Sequence, residues 1–153
     1  MNLKQIVDKF ESHQKFLIEL KKQVLKLANE NPNFVYNPNY EQNKASKIRT
    51  KCKYNGPVVS VNEKNEIQEV VGPDCKGCIF GQALQNMGWT NEIQMNSVYN
   101  IRVILRNFAG VFQSEFNDQN DILLSSFRET QDLQDSGNSW SNCVENLLES
   151  DLE

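Results

Sequence analysis

The sequence predicts an α+β fold with a long N-terminal helix, a small three-stranded antiparallel sheet and a C-terminal helical bundle. Three observations support this prediction. Apolar residues recur at helical spacing over 1–30, short β-rich runs alternate with turn dipeptides over 34–71, and helical periodicity returns over 74–150. The chain of 153 residues has no long linker, so one domain over 1–153 is expected.

The N-terminal part reads as one helix from Asn2 to about Asn29. Its apolar seam has heptad-like spacing and consists of Leu3, Ile6, Phe10, Leu17, Leu20, Val24 and Leu27. Such a seam packs either on its own domain or on a second copy, so residues 3–27 are also a candidate homodimer interface. Pro32 ends the helix because the residue before a proline disfavours α geometry.

The region 34–71 reads as a β-meander. Its candidate strands are Lys47–Tyr54, Val58–Val61 and Glu66–Val71. The dipeptide Asn55-Gly56 predicts the first turn, and Asn62–Asn65 predicts the second. Phe34–Tyr36 is a candidate short strand, whereas the polar run Asn37–Ser46 is predicted to be a surface loop.

The last part of the chain is predicted to be helical. The candidate helices are Cys75–Met87, Ser97–Phe108, Asp121–Gln134 and a final helix that starts near Ser141 or Asn142. Asp74 is the predicted N-cap of the first of these helices. Gly88, Gly110 and Gly137 mark the ends of the first three.

The net charge of −4 gives no overall basic footprint for nucleic acid, so binding to nucleic acid is not expected. The lysines do favour the N-terminal half, which leaves room for a local basic patch. No apolar run has the length of a signal peptide core or of a membrane span. We therefore expect a soluble, cytoplasmic protein that has no membrane partner and whose thiols are reduced.

The run Asp74-Cys75-Lys76-Gly77-Cys78 allows three interpretations. A thioredoxin-like redox pair would explain the spacing, but no proline follows Cys78 to face such a pair. A zinc site made by Cys52, Cys75, Cys78 and Cys143 is conceivable, although only one close pair exists. The favoured interpretation is packing, with the cysteines as small residues at a capped helix start.

Two glycines in the same stretch need an explanation of their own. Gly77 and Gly81 are four residues apart on a predicted helix, where glycine costs up to about 1 kcal/mol relative to alanine. Their bare face predicts that another backbone or a ligand approaches closely. An anion at the amides of the helix start, close to Lys76, is one version of the ligand alternative. Gln82 lies next to this face.

Catalytic groups cannot be assembled from the sequence. His13 is the only histidine, and no catalytic partner for it is evident nearby. The carboxylates between Asp118 and Asp135 read as a solvated helix face. The sequence therefore predicts a protein that is not an enzyme and uses no cofactor.

Two motifs resemble a known family. "CIFGQALQNMG" resembles a Gly-Cys-apolar-apolar-Gly-Gln/His-Ala-Leu element, and "TQDLQDSGNSW" resembles a Gln-Asp-x-Gly-x-x-Trp element. Both look like those of small uncharacterised proteins of bacteriophages and their bacterial hosts, over about Phe34 to Leu148. The resemblance implies a mobile-element context and lends no catalytic residue.

The second motif also has a physical interpretation. Trp140 is predicted to fold back on the preceding helix, where Gln131, Gln134 and Asp135 could bridge backbone groups or contact a ligand.

The leading prediction is a non-enzymatic binding protein that regulates or inhibits a host protein, for example one that acts in defence. One alternative is a nucleotide-binding or other small-ligand protein that uses the Cys75–Gly81 helix start. The other alternative is a thiol-dependent enzyme.

Overall fold

One hydrophobic core joins the sheet to the helices in the computed structural model, which describes residues 1–71, 76–90, 100–110 and 118–149. The helices are α1 (Leu3–Asp8), α2 (His13–Glu30), α3 (Tyr40–Ala45), α4 (Ile79–Asn86), α5 (Ile101–Ala109), α6 (Asp118–Asp135), α7 (Trp140–Cys143) and α8 (Glu145–Glu149). The strands β1 (Arg49–Lys51), β2 (Val58–Val61) and β3 (Ile67–Val71) form an antiparallel sheet in that order. The α+β prediction is confirmed.

The prediction of a single long N-terminal helix is wrong, because the chain breaks between α1 and α2. Ser12 has extended backbone, and its side chain accepts a hydrogen bond from the Lys15 N–H at 3.2 Å. A serine that caps in this way starts a new helix instead of continuing the old one. The apolar seam over 3–27 packs largely into the core of its own chain, and Leu3, Leu17 and Leu20 are fully buried. A homodimer through this seam would lack the exposed face that it needs.

The sheet follows the predicted meander, but its first strand, β1, is shorter than the predicted Lys47–Tyr54. The turn after β2 is built by Asn62, whose side-chain oxygen accepts hydrogen bonds from the N–H groups of Lys64 and Glu66, both at 2.9 Å. Asn65 adopts the left-handed conformation that such a turn requires. Because β2 lies between its two neighbours, each of its residues is buried.

Residues 37–46 are not the predicted loop, since they contain α3. Asn37 fixes the entry to this helix, because its buried Nδ2 donates to the Asp135 carbonyl at 2.6 Å and to Thr50 Oγ1 at 2.9 Å. Lys44 lies over the ring of Tyr40, 5.8 Å from its centroid. These contacts to β1 and α6 stabilise a polar helix that has no apolar periodicity of its own. Phe34–Tyr36 forms only an isolated bridge, between Val35 and Ser139.

The later helices follow in the predicted order, with three corrections. The helix α5 begins at Ile101 after the N-cap Asn100 and not at Ser97, which itself lies outside the described residues. The N-cap of α4 is Cys78, so the helix begins later than predicted, and the predicted cap Asp74 lies outside the described residues. The final helix is two short helices, α7 and α8, and it starts from the N-cap Ser139. Gly110 ends α5 in the left-handed conformation, as predicted.

Five large aromatic side chains are fully buried in this core: Phe16, Tyr54, Phe80, Phe127 and Trp140. The helix α6 contacts α2, α5, α7 and α8, so it occupies a central position among the helices. Its residues Gln131 and Gln134 therefore point into the protein and not into solvent. Within the part of the chain that the structure describes, no helix combines the length and apolarity needed to cross a bilayer.

Candidate functional site

The bare face formed by Gly77 and Gly81 is covered by the protein's own backbone. A Cβ atom added to either glycine would overlap the carbonyl group of Tyr54. Gly77 also has a φ of +115°, which side chains other than glycine rarely adopt. The two glycines therefore allow the segment that follows β1 to pass directly over the start of α4.

Polar groups around this start are used to hold the segment in place. The N–H of Cys78 donates to the Lys53 carbonyl at 2.9 Å. Gln82 Nε2 donates to the Gly77 carbonyl at 2.7 Å, and Gln85 Nε2 donates to the Lys76 carbonyl at 2.8 Å. The side chain of Lys76 itself is exposed. The sequence-predicted residues of this stretch thus serve mainly to form hydrogen bonds with the protein's own backbone.

Cys78 forms a disulfide with Cys52, which corrects the expectation of reduced thiols. The two cysteines are 26 residues apart in sequence, and both are buried. Cys75, the sequence-predicted redox partner of Cys78, lies outside the described residues. The proposed zinc site with Cys143 conflicts with this pairing, because sulfurs joined in a disulfide are not available as thiolate ligands.

Cys143 is a free, buried cysteine. Its Sγ donates to the Asn138 carbonyl at 3.5 Å, and burial raises the pKa of this thiol to about 12. A thiol with so high a pKa is a poor nucleophile and a poor metal ligand at neutral pH. Among the described residues, no group of three or more His, Cys, Asp or Glu side chains is arranged to hold a metal ion.

Removal of the disulfide is expected to lower the free energy of unfolding by about 3 kcal/mol, since it closes a loop of medium length. The double variant Cys52→Ala/Cys78→Ala tests this by urea denaturation, with Cys143→Ala as a control that deletes only a buried thiol. The pairing can be checked on unreduced protein, because trypsin cleavage after Lys76 separates Cys75 from Cys78. A peptide cross-linked through Cys75 instead of Cys52 would contradict the pairing.

Gln134 and Gln131 on α6 cap two other helices, although they are distant from those helices in sequence. The fully buried Gln134 accepts hydrogen bonds at its Oε1 from the Ile79 N–H at 2.8 Å and from Trp140 Nε1 at 3.2 Å. Gln131 Oε1 accepts from the Ile101 N–H at 2.6 Å. Ile79 and Ile101 are the first residues of α4 and α5, whose N–H groups have no partner within their own helices. The sequence-predicted site residues on α6 therefore orient two other helices.

The side-chain nitrogen Nε2 of each glutamine also donates a hydrogen bond. Gln131 Nε2 donates to the hydroxyl of Tyr54 at 2.8 Å, and burial raises the pKa of that hydroxyl. Trp140, which is almost fully buried, folds back on α6 and packs against Phe34 with ring centroids 4.5 Å apart and ring planes tilted by 54°. Gln131, Gln134 and Trp140 are thus enclosed by protein, which leaves them no surface for a ligand.

Among the candidate site residues Gln131, Gln134, Asp135 and Trp140, Asp135 is the one that lines an open surface. Its carboxylate accepts hydrogen bonds from Gln134 Nε2 at 3.3 Å and from the backbone N–H of Cys52. Burial raises the pKa of Asp135 to about 7, and nearby Asp132 adds to the effect while Lys51 opposes it. This carboxyl group therefore changes its charge near neutral pH.

A groove of about 420 Å³ opens beside Asp135, between α3, β1 and the end of α6. Four cationic side chains line it: Lys44, Lys47, Arg49 and Lys51. Within the part of the chain that the structure describes, no carboxylate oxygen lies within 4.0 Å of their charged nitrogens. We call this feature the basic groove. Its four cations outnumber the two carboxylates of Asp132 and Asp135 in the same lining, so the groove is a local excess of positive charge on a protein of negative net charge.

The sequence analysis named Asp135 of the basic groove but missed its four cationic residues. The bias of lysines to the N-terminal half was the available signal, and the run 44–53 is its densest part. The loop prediction for 37–46 concealed the groove, because only a helix there places Lys44 and Tyr40 opposite β1. Comparisons with protein-family models, with curated proteins and with solved structures give no match to this chain.

Proposed function

We propose that this protein is a non-enzymatic binding protein that recognises an acidic segment of a partner protein in the basic groove. The observation that supports the proposal is the set of four cationic side chains, which outnumber the two carboxylates of the groove and form no ion pair within 4.0 Å among the described residues. An excess of charge of this kind accelerates encounter with an oppositely charged surface and selects against other partners.

The composition of the groove favours a peptide segment over a nucleic acid. Tyr40 and the partly exposed Ile48 add apolar surface beside the cations, which suits a segment with both acidic and apolar side chains. A long polyanion would also meet the negative charge of the rest of the protein, because the net charge is −4. The groove is therefore better suited to a short acidic stretch.

The groove offers charge but no activated nucleophile. Its two aliphatic hydroxyl groups take part in structural hydrogen bonds: Thr50 Oγ1 accepts from Asn37, and Ser136 Oγ donates to the Asp132 carbonyl at 2.8 Å. These contacts support binding as the function of this surface. The alternative ligand site at the Cys75–Gly81 helix start is less favoured, because the Tyr54 backbone and Gln134 fill that position.

The resemblance to bacteriophage and bacterial proteins suggests what the partner is. We propose a host protein, for example one with a role in defence, which the bound protein inhibits or regulates. An inhibitor of this kind needs no chemistry of its own, because it acts by occupying a surface of its target. The acidic segment of the target is then the part that the basic groove covers.

Affinity capture from a nuclease-treated bacterial lysate tests the proposal. The groove variant Lys44→Glu/Lys47→Glu should retain specific partners about tenfold less well than the wild type, because two attractive charges become repulsive. The matched control is Lys22→Glu/Lys26→Glu, which makes the same charge change on exposed lysines of α2. Equal capture by all three proteins would contradict recognition through the groove. Partners that are captured from an untreated lysate but not from the nuclease-treated lysate would indicate binding to nucleic acid instead.

A further inference from the structure

The carboxyl group of Asp135 sits in the wall of the basic groove, where a bound anion would face it. It is the last residue of α6 and is held in place by hydrogen bonds from Gln134 Nε2 and the Cys52 N–H. When it is ionised, this carboxylate repels any acidic ligand that enters the groove. Protonation removes that repulsion without moving the side chain.

The groups around Asp135 determine when it is protonated. Asp132 lies beside it on α6, Lys51 on β1, Tyr54 on the segment after β1 and Cys143 on α7. Across the groove lie Tyr40, Lys44, Lys47 and Arg49. Burial outweighs the attraction of Lys51, so the pKa of Asp135 is about 7 before any ligand binds.

We propose that the basic groove binds its acidic ligand together with one proton, which Asp135 takes up, so that binding strengthens as the pH falls. This inference rests on the proposed function, since it concerns the same groove. It adds a form of regulation: the protein holds its partner more tightly in a mildly acidic environment than in a mildly basic one.

The direction of the effect follows from linkage. An anion in the groove disfavours the ionised form of Asp135 and so raises its pKa further. Because binding and protonation favour each other, the affinity rises between pH 8 and pH 6. If the ligand raises the pKa by about one unit, the affinity gain over that interval is about fivefold.

Isothermal titration calorimetry with N-acetylated hexa-aspartate amide tests the inference at low salt, about 20 mM, where screening is weak. The carboxylates of this peptide stay ionised between pH 6 and 8, so they do not contribute a titration of their own. Titrations at pH 7 in two buffers of different ionisation enthalpy measure proton uptake. We expect about half a proton to be taken up by the wild type, and none by Asp135→Asn.

Asp132→Asn is the matched control, since it also removes a carboxylate from the groove. Both variants should bind the peptide more tightly than the wild type at pH 8, but only Asp135→Asn should lose the pH dependence. His13, the only histidine of the sequence, is unchanged in every variant and lies outside the groove lining. Binding without proton uptake in the wild type would overturn this inference alone. Failure of the peptide to bind at either pH would overturn the proposed function together with it.

Discussion

Replacing Gly81 with alanine is expected to lower the free energy of unfolding by about 4 kcal/mol, at the upper end of what overpacking costs. On helix propensity alone, the same change would stabilise α4 by up to about 1 kcal/mol. A loss of stability is expected instead, because the new Cβ would overlap the Tyr54 carbonyl group. That carbonyl cannot easily retreat, since Gln85 Nε2 donates to it at 3.2 Å and the Tyr54 side chain is buried.

Urea denaturation followed by far-ultraviolet circular dichroism measures this loss. Gly110→Ala is the control, because a Cβ at Gly110 meets no atom within 4 Å. Its cost should be only the strain of a left-handed alanine, about 1 to 2 kcal/mol. If Gly81→Ala were as stable as the wild type, the close approach of Tyr54 to α4 would be refuted.

Replacing Gln134 with leucine is expected to cost about 4 kcal/mol, because two buried donors lose their acceptor. These donors are the Ile79 N–H and Trp140 Nε1, and both lie where water cannot replace the lost oxygen. The leucine has a similar volume, so little of the loss would come from a cavity. Chemical denaturation again provides the measurement.

Gln23→Leu serves as the control for this second substitution. Gln23 also donates through its amide, but only to Glu19 on the same helix at 3.1 Å, near the surface. Its loss should change stability by no more than about 0.5 kcal/mol. A Gln134→Leu protein that unfolds at the same urea concentration as Gln23→Leu would show that Gln134 is not a distant cap of α4.

The elements with strong local signals were predictable from sequence. The turn at Asn62–Asn65 and the stop at Gly110 were found because one residue type fits the backbone at each of these points. The break between α1 and α2 was missed because the apolar seam keeps its heptad-like spacing on both sides of it, with only the polar His13 in the seam between Phe10 and Leu17. At Ser12, the local capping hydrogen bond prevailed over that periodicity.

The features that join distant parts of the chain were harder to predict. Nothing in the sequence pairs Cys78 with Cys52 in preference to the nearer Cys75, because the pairing depends on how the segment after β1 crosses α4. The close-approach interpretation of Gly77 and Gly81 could be derived from the missing side chains. The identity of the approaching group could not, since Tyr54 lies more than twenty residues earlier in the sequence.

The basic groove depends on contacts of the same long-range kind. Its cations come from α3 and β1, while its carboxyl groups come from the far end of α6. Asn37 connects these parts by donating to Thr50 and to the Asp135 carbonyl. Charge counting along the sequence detected the excess of lysine, but it could not show that an acidic helix end would lie among those lysines.

The segment around Tyr54 has a consequence for how the protein unfolds. Its backbone contacts α4, its hydroxyl contacts Gln131 on α6, and the neighbouring Cys52 is bonded to Cys78. A three-stranded sheet of this size would be only marginally stable alone. Here it cannot separate from the helices without first breaking these three connections. Sheet and helices should therefore open as one cooperative unit, which makes partially unfolded forms with an exposed strand edge rare.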